Sequence, residues 1–246
     1  MTQKPFLNLG AGRIILPGER PAHHGLVDEA IYQYPLWKNV DRNPQPGIDE
    51  CVDVFTYPWP WPDNSFDGAL LGHLVEHIPH EIRIKQTRPS PEFIEAQEQW
   101  TDRMFTTMKR GDPLRPKWNY SSNVHDKYTN MQDGWYAFMF ELWRVLTPGA
   151  IAHILSPYAW SAGAVTDPTH TRYLTEHTFT HSMAPDPDSP FEYATGGLHF
   201  EMESQPVFRI TEMFQHLADD PQELTRALQT RLNVAYELYV RLRAVK

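Results

Sequence analysis

The sequence predicts an open α/β fold with a doubly wound, mostly parallel sheet, on three observations. A short apolar run at residues 5–9 breaks into Gly10-Ala11-Gly12 before any helix begins. A continuous apolar run at 66–71 has strand length and no alternation, as a strand buried on both faces requires. Trp135, Phe138, Met139, Leu142, Trp143 and Leu146 recur at helical spacing, and Thr147-Pro148-Gly149 stops that helix ahead of a further apolar run at 151–155. In such a fold a ligand sits off the carboxyl ends of the strands.

In chain order, residues 5–9 are the first strand, a loop and a helix over 26–34 follow, and 36–40 is the second strand. A third short strand is expected at 51–55, with Cys51 as a small buried hydrophobe at its start. The stretch TYPWPWPDNS at 56–65 reads as loop throughout, because proline fixes φ and removes a donor N–H. Past the 66–71 strand, 80–135 is an insertion or lid: a helix over 91–109, with Ser90 as N-cap and Pro91 at its first position, then a Gly/Pro/Asn/Ser-rich loop over 110–130. The core helix covers 132–146, and 197–202 with 206–210 suggest a two-stranded antiparallel return. A C-terminal amphipathic helix is expected over 221–246, capped by Asp220, with Leu224, Leu228, Leu232, Ala235, Leu238 and Leu242 on one side. The whole chain, 1–246, reads as one domain.

A hydrophobic content of 41% with 22% charged residues is ordinary for a folded protein, and no apolar run approaches the ~20 residues of a membrane span. A single cysteine excludes an internal disulfide and a multi-thiolate metal site and fits a reducing, cytoplasmic setting. The net charge of −9 disfavours nucleic-acid wrapping, which rests on many Lys/Arg contacts to phosphate. Between 80 and 120, however, eight Lys/Arg face six Asp/Glu, either a solvated helical face or a local phosphate contact.

Four segments carry the functional signal. They are LNLGAG at 7–12, NVD at 39–41, PDNSFDGALLGHLVEHI at 62–78 and ELWRVLTPGAIAHIL at 141–155. In this order they resemble the class I S-adenosylmethionine (SAM) dependent methyltransferases, particularly the small bacterial and phage type. A fifth segment, DPTHTRYLT at 167–175, is similar to a run that follows the fifth strand in the same subgroup. The resemblance implies a Rossmann-like sheet with an antiparallel strand pair near the C-terminus, SAM as cofactor, and methyl transfer to an O or N atom of a small-molecule or nucleotide-like acceptor. Asn8 stands where many of these enzymes carry an acid, and Ile14 where they have a third glycine.

For the cofactor, the resemblance points to Asn8, Leu9, Gly10, Ala11 and Gly12 for the methionine end. It points to Asp41 with Arg42 for the ribose, to Asp53 and Val54 beside the adenine, and to His73 next to the sulfonium. Free N–H groups at the 9–12 turn suit a carboxylate, and the two oxygens of Asp41 suit a diol. Asp41 and Asp53 also have a plain structural reading as turn formers. A nicotinamide dinucleotide would demand glycine at 15, where the chain has Ile15.

His73 and His170 are the candidate proton acceptors, since histidine titrates near neutrality. The run 167–172 is either a latch, through Asp167 and Arg172, or part of the acceptor site. Two other functions stay open. One is a SAM-binding protein without transferase activity; the other is a zinc hydrolase using His73, Glu76 and His77, which spell H-x-x-E-H and on a helix would share a face.

Overall fold

A computed structural model describes residues 3–84, 133–181 and 198–246. The helix expected at 91–109 and the loop at 110–130 lie outside these residues.

The strands are β1 (Phe6–Leu9), β2 (Trp37–Asp41), β3 (Glu50–Cys51), β4 (Thr56–Tyr57), β5 (Phe66–Gly72), β6 (Arg83–Ile84), β7 (Leu146–Pro157), β8 (Phe200–Met202), β9 (Val207–Ile210) and β10 (Ala235–Ala244). The α-helices are α1 (Glu29–Tyr32), α2 (Gly134–Val145), α3 (Ala162–Thr166), α4 (Glu176–His181) and α5 (Pro221–Thr230). Eight strands form one sheet in the order β3-β2-β1-β5-β7-β10-β8, with β9 also on β10. The pairs from β3 to β7 are parallel, and β10 runs antiparallel to β7, β8 and β9. The fold is therefore a Rossmann-like α/β sheet with an antiparallel edge, as expected. The order reverses between β1 and β5, which makes the carboxyl end of β1 the switch point where such sheets open a crevice.

Alternation along each strand covers both faces. Leu7, Leu9, Ala69, Leu71, Ile154, Leu238 and Val240 pack with α2 on one side. Leu70, Leu155 and Tyr239 meet Leu16, Val27 and Tyr32 on the other. Helix α2 is capped by Asp133, whose carboxylate accepts the Trp135 N–H at 2.7 Å. Phe138, Met139 and Leu142 are wholly buried, which confirms the core role read from their spacing. Glu141 is equally buried. It accepts the Trp59 N–H at 2.6 Å and pairs with Arg144, whose Nη1 donates to Trp61 O and Asp63 at 2.8 Å each. That network ties the proline-rich 59–63 stretch to α2.

Four expectations need correction. The amphipathic helix expected over 221–246 is α5 followed by β10. Leucines spaced by three and four also fit a period of two from Leu238 to Leu242, and Asn233, at φ +56°, turns the chain between the two elements. The strands β8 and β9 do not pair with each other as a return; each pairs with β10. Thr56–Tyr57, read as loop, is a short strand parallel to β6, because the prolines begin only at Pro58. Cys51 is exposed, since β3 is a two-residue edge strand with too little neighbouring structure to cover it. Among the described residues, no helix is long and apolar enough to cross a membrane.

Candidate functional site

At the tip of β1 the chain turns through Gly10 at φ +65° and Gly12 at φ +52°, a region that L side chains enter only at a cost. A Cβ on Gly10 would lie 2.9 Å from Leu74 Cδ1, so glycine there also permits the close approach of the segment that follows β5. Over Gly12 the nearest atom to an added Cβ is Gly10 O at 3.9 Å, so the turn is open above.

The expected free amides of this turn are partly engaged. Ala11 N–H donates to Val40 O at 2.9 Å, and Gly12 N–H donates to Asp41 Oδ2 at 3.0 Å. Asp41 Oδ1 accepts from Asn43 N–H at 2.8 Å. Asp41 thus sits at the end of β2 where the sequence puts it, directly against the glycine turn, with one lone pair of each oxygen still available.

Asn8 is buried beneath the turn rather than in it. Its Nδ2 donates to Ile14 O at 2.7 Å and Asn39 Oδ1 at 3.0 Å, while Asn39 binds Leu16 N and O at 2.9 and 2.8 Å. This buried amide pair holds residues 14–16 against β1 and β2. Arg42 is exposed beside Asp41. Asp53 closes a turn, accepting Phe55 N–H at 3.1 Å and the Thr56 hydroxyl at 2.8 Å. Val54 is buried, with its carbonyl taking Trp59 Nε1 at 2.9 Å.

His73 follows β5 in a left-handed conformation, φ +54°. Its N–H donates to Leu155 O at 2.8 Å, its Nδ1 lies 3.4 Å from Glu76 Oε1, and its Nε2 lies 3.3 Å from Glu237 Oε1. Glu237 comes from β10 and is held by Arg209 of β9 at 2.9 Å; Arg209 Nη2 also donates to Ala22 O at 2.9 Å. Burial works to lower the His73 pKa, and Glu237 and Glu76 outweigh it, so the group is pushed up to about 9. His24 packs against the same place: a Cβ on Gly72 would fall 2.4 Å from its ring. Its Nδ1 meets Tyr32 Oη at 2.7 Å, and burial, followed by the charges of His23 and His73, brings its pKa down to about 4. The sequence reading missed His24, Arg209 and Glu237. A glutamate in the apolar run 235–244 is the signal for the last, visible only once that run is read as a strand.

The H-x-x-E-H residues do not share an α-helical face, for Val75–His77 is a single 3₁₀ turn. His77 instead faces His170, with ring centroids 4.8 Å apart. The 167–172 run fastens to the segment after β5. Thr171 and Arg172 N–H donate to Glu76 O at 2.8 and 3.0 Å, Thr171 Oγ1 donates to Ile78 O at 2.6 Å, and Arg172 donates to Ile78 O and Pro79 O at 2.8 Å each. Arg172 Nη2 also pairs with Asp133 Oδ1 at 2.6 Å. Burial raises the Asp133 pKa, but Arg172, the Trp135 N–H and His80 together hold it below its ordinary value. The arrangement gives Arg172 the latch geometry. Asp167 stays exposed, accepting the N–H and hydroxyl of Thr169.

At the same edge of the sheet, past β7, a cavity of about 660 Å³ is lined by Ser161, Gly163, Thr211, Met213, Asn233 and Tyr236.

Together these features define a doubly wound α/β protein with a glycine turn and an acid converging at its switch point. Neither a protein-family model nor a curated protein matches the chain. Among solved structures, the chain is similar to a SAM-dependent methyltransferase from Archaeoglobus fulgidus, at 14% identity and a TM-score of 0.47 over 98% of this chain and 86% of that one. It is also similar to the [4+2]-cyclase SpnF, at 12% identity and a TM-score of 0.43 over 99% and 75%. A third likeness is to a SAM-dependent methyltransferase from Mesorhizobium loti, at 10% identity and a TM-score of 0.40 over 98% and 91%.

Proposed function

We propose that the protein is a SAM-dependent methyltransferase acting on an O or N atom of a small-molecule or nucleotide-like acceptor. The observation that carries this reading is the contact of the Gly10–Gly12 turn with Asp41 at the carboxyl ends of β1 and β2, with open space over Gly12.

The residues present fit the cofactor. Asp41 keeps a free lone pair on each oxygen for a ribose diol, and Gly12 leaves room that a Cβ would fill. With Ala11 and Gly12 N–H engaged, an amino-acid carboxylate approaches the turn from its open side over Gly12. Such a donor supplies, when bound, a methyl group already activated on cationic sulfur. The chain's task is then to orient the acceptor, which is worth ~7–11 kcal/mol, against the 10²–10⁴-fold of a typical base.

His73 is not the proton acceptor in this reading. Two carboxylates keep it charged at neutral pH, so it serves to hold Glu76 and Glu237 together at the tip of β5. The cavity past β7 lies on the same edge as the glycine turn and offers an apolar wall, Met213 and Tyr236, for the acceptor.

Calorimetry of the full chain with SAM and S-adenosylhomocysteine tests the reading. Both ligands release heat with the wild type, and Asp41→Ala weakens both by on the order of 10-fold or more, as expected for two lost charge-assisted hydrogen bonds. Absence of heat with either ligand overturns it.

A further inference from the structure

We propose that Glu76, His77 and His170 form a binding site for a divalent transition-metal ion of the zinc class, which staples the Val75–His77 turn to the 167–172 turn. One ligand atom from each of the three residues can be chosen so that all lie within 4.8 Å of one another. Tetrahedral zinc with bonds of ~2.0–2.2 Å holds its ligand atoms ~3.4 Å apart, so closing the site draws the three groups together by up to about 1.4 Å.

The tautomers of both histidines point the same way. His170 Nδ1 lies 3.0 Å from Ala164 O, and a carbonyl only accepts, so this nitrogen carries the proton. His77 Nδ1 lies 3.1 Å from Thr169 Oγ1 and 3.2 Å from Thr169 O. The Thr169 hydroxyl spends its one hydrogen on Asp167 Oδ1 at 2.6 Å, which makes His77 Nδ1 the donor as well. In the neutral form each ring therefore presents an Nε2 lone pair. Orientation of imidazole through an Nδ1–H bond to an oxygen is the outer-shell arrangement that metal-binding histidines use.

The second observation is Glu76. Its side chain is 2% exposed, yet among the described residues neither carboxylate oxygen takes a hydrogen bond. His73 Nδ1, 3.4 Å from Oε1, accounts for one oxygen at most. A buried carboxylate oxygen without a donor is costly, and a cation would offset that cost.

The charge balance agrees. Two neutral imidazoles and one carboxylate leave a divalent ion with a single positive charge, and a water would take the fourth position, as in zinc sites with three protein ligands. Imidazole nitrogen favours zinc and its neighbours over magnesium or calcium, which demand oxygen. This assignment gives the Nε2 lone pair of His170 to the metal and replaces a proton-accepting role for that residue.

The test uses the full chain stripped with a chelator, titrated with Zn²⁺ against a chromophoric competitor, with Co²⁺ followed in parallel by its visible absorption. The wild type is expected to take a single equivalent and give cobalt bands of low-coordinate nitrogen and oxygen ligation, and Mg²⁺ in excess leaves both unchanged. His77→Ala and His170→Ala each weaken Zn²⁺ binding on the order of 100-fold, since a lost ligand costs at least as much as its outer-shell partner. Replacement of the exposed His216 by alanine does not weaken it. Sub-stoichiometric Zn²⁺ on the wild type, a readout independent of any variant's folding, overturns the proposal, as does binding that survives both substitutions. Neither readout involves the methyl donor, so failure here and failure of the methyltransferase reading are distinguishable.

Discussion

Replacing His73 by glutamine removes a cation clamped between Glu76 and Glu237, and the consequence is a change in how stability depends on pH. The folded pKa of about 9 lies above the ordinary 6.5, so between these values the folded state keeps a proton that the unfolded state gives up. The stabilisation is complete below pH 6.5 and is lost as pH rises through about 9. At ~1.36 kcal/mol per pH unit this is worth up to ~3 kcal/mol, and solvent screening of a side chain 31% exposed reduces it to ~2 kcal/mol. Urea unfolding of wild type and His73→Gln at intervals from pH 6 to pH 9.5 measures it. His24 titrates at about 4 and stays out of the window, whereas Lys246, brought down to about 8 chiefly by burial, falls inside it. Lys246 is present in both proteins, so the difference between the two curves isolates His73. That difference should shrink steadily with rising pH. A difference that is flat, or that grows toward pH 9, refutes the ion-pair account.

Two further substitutions probe the frame around the site. Gly10→Ala places a Cβ at φ +65° and 2.9 Å from Leu74 Cδ1, and a loss of ~1–2 kcal/mol is expected in thermal denaturation, with weaker S-adenosylhomocysteine binding in calorimetry. Glu141→Gln strips the charge that Arg144 answers inside the core and is expected to cost about 3 kcal/mol in chemical denaturation; a change near zero contradicts the network drawn around Trp59.

The parallel half of the sheet was legible because its signals are local. The run from Phe66 to Leu71 is apolar without interruption, and the Trp135 to Leu146 spacing has one period only. Residues 235–244 carry two periods at once, and only pairing with β7, some eighty positions earlier, decides for the strand. The candidate site divides along the same line. Asp41 and the glycine turn announce themselves within their own segments. Glu237 reaches His73 from a strand whose pattern also fits a helix, and Arg209 meets Glu237 only because β9 pairs with that strand, so their convergence could not be anticipated. The H-x-x-E-H spacing misled in the opposite way: the motif is present, but a single 3₁₀ turn aims His77 at His170.

The position of β10 between β7 on one side and β8 with β9 on the other bears on how the molecule is made. During synthesis β8 and β9 leave the ribosome before the strand that both of them need, and their backbone donors and acceptors wait in water until it arrives. The parallel core has its partners earlier in the chain, whereas β8 and β9 join the sheet only through β10. Glu237 travels on that strand, so His73 gains its second carboxylate only at the moment the sheet is complete.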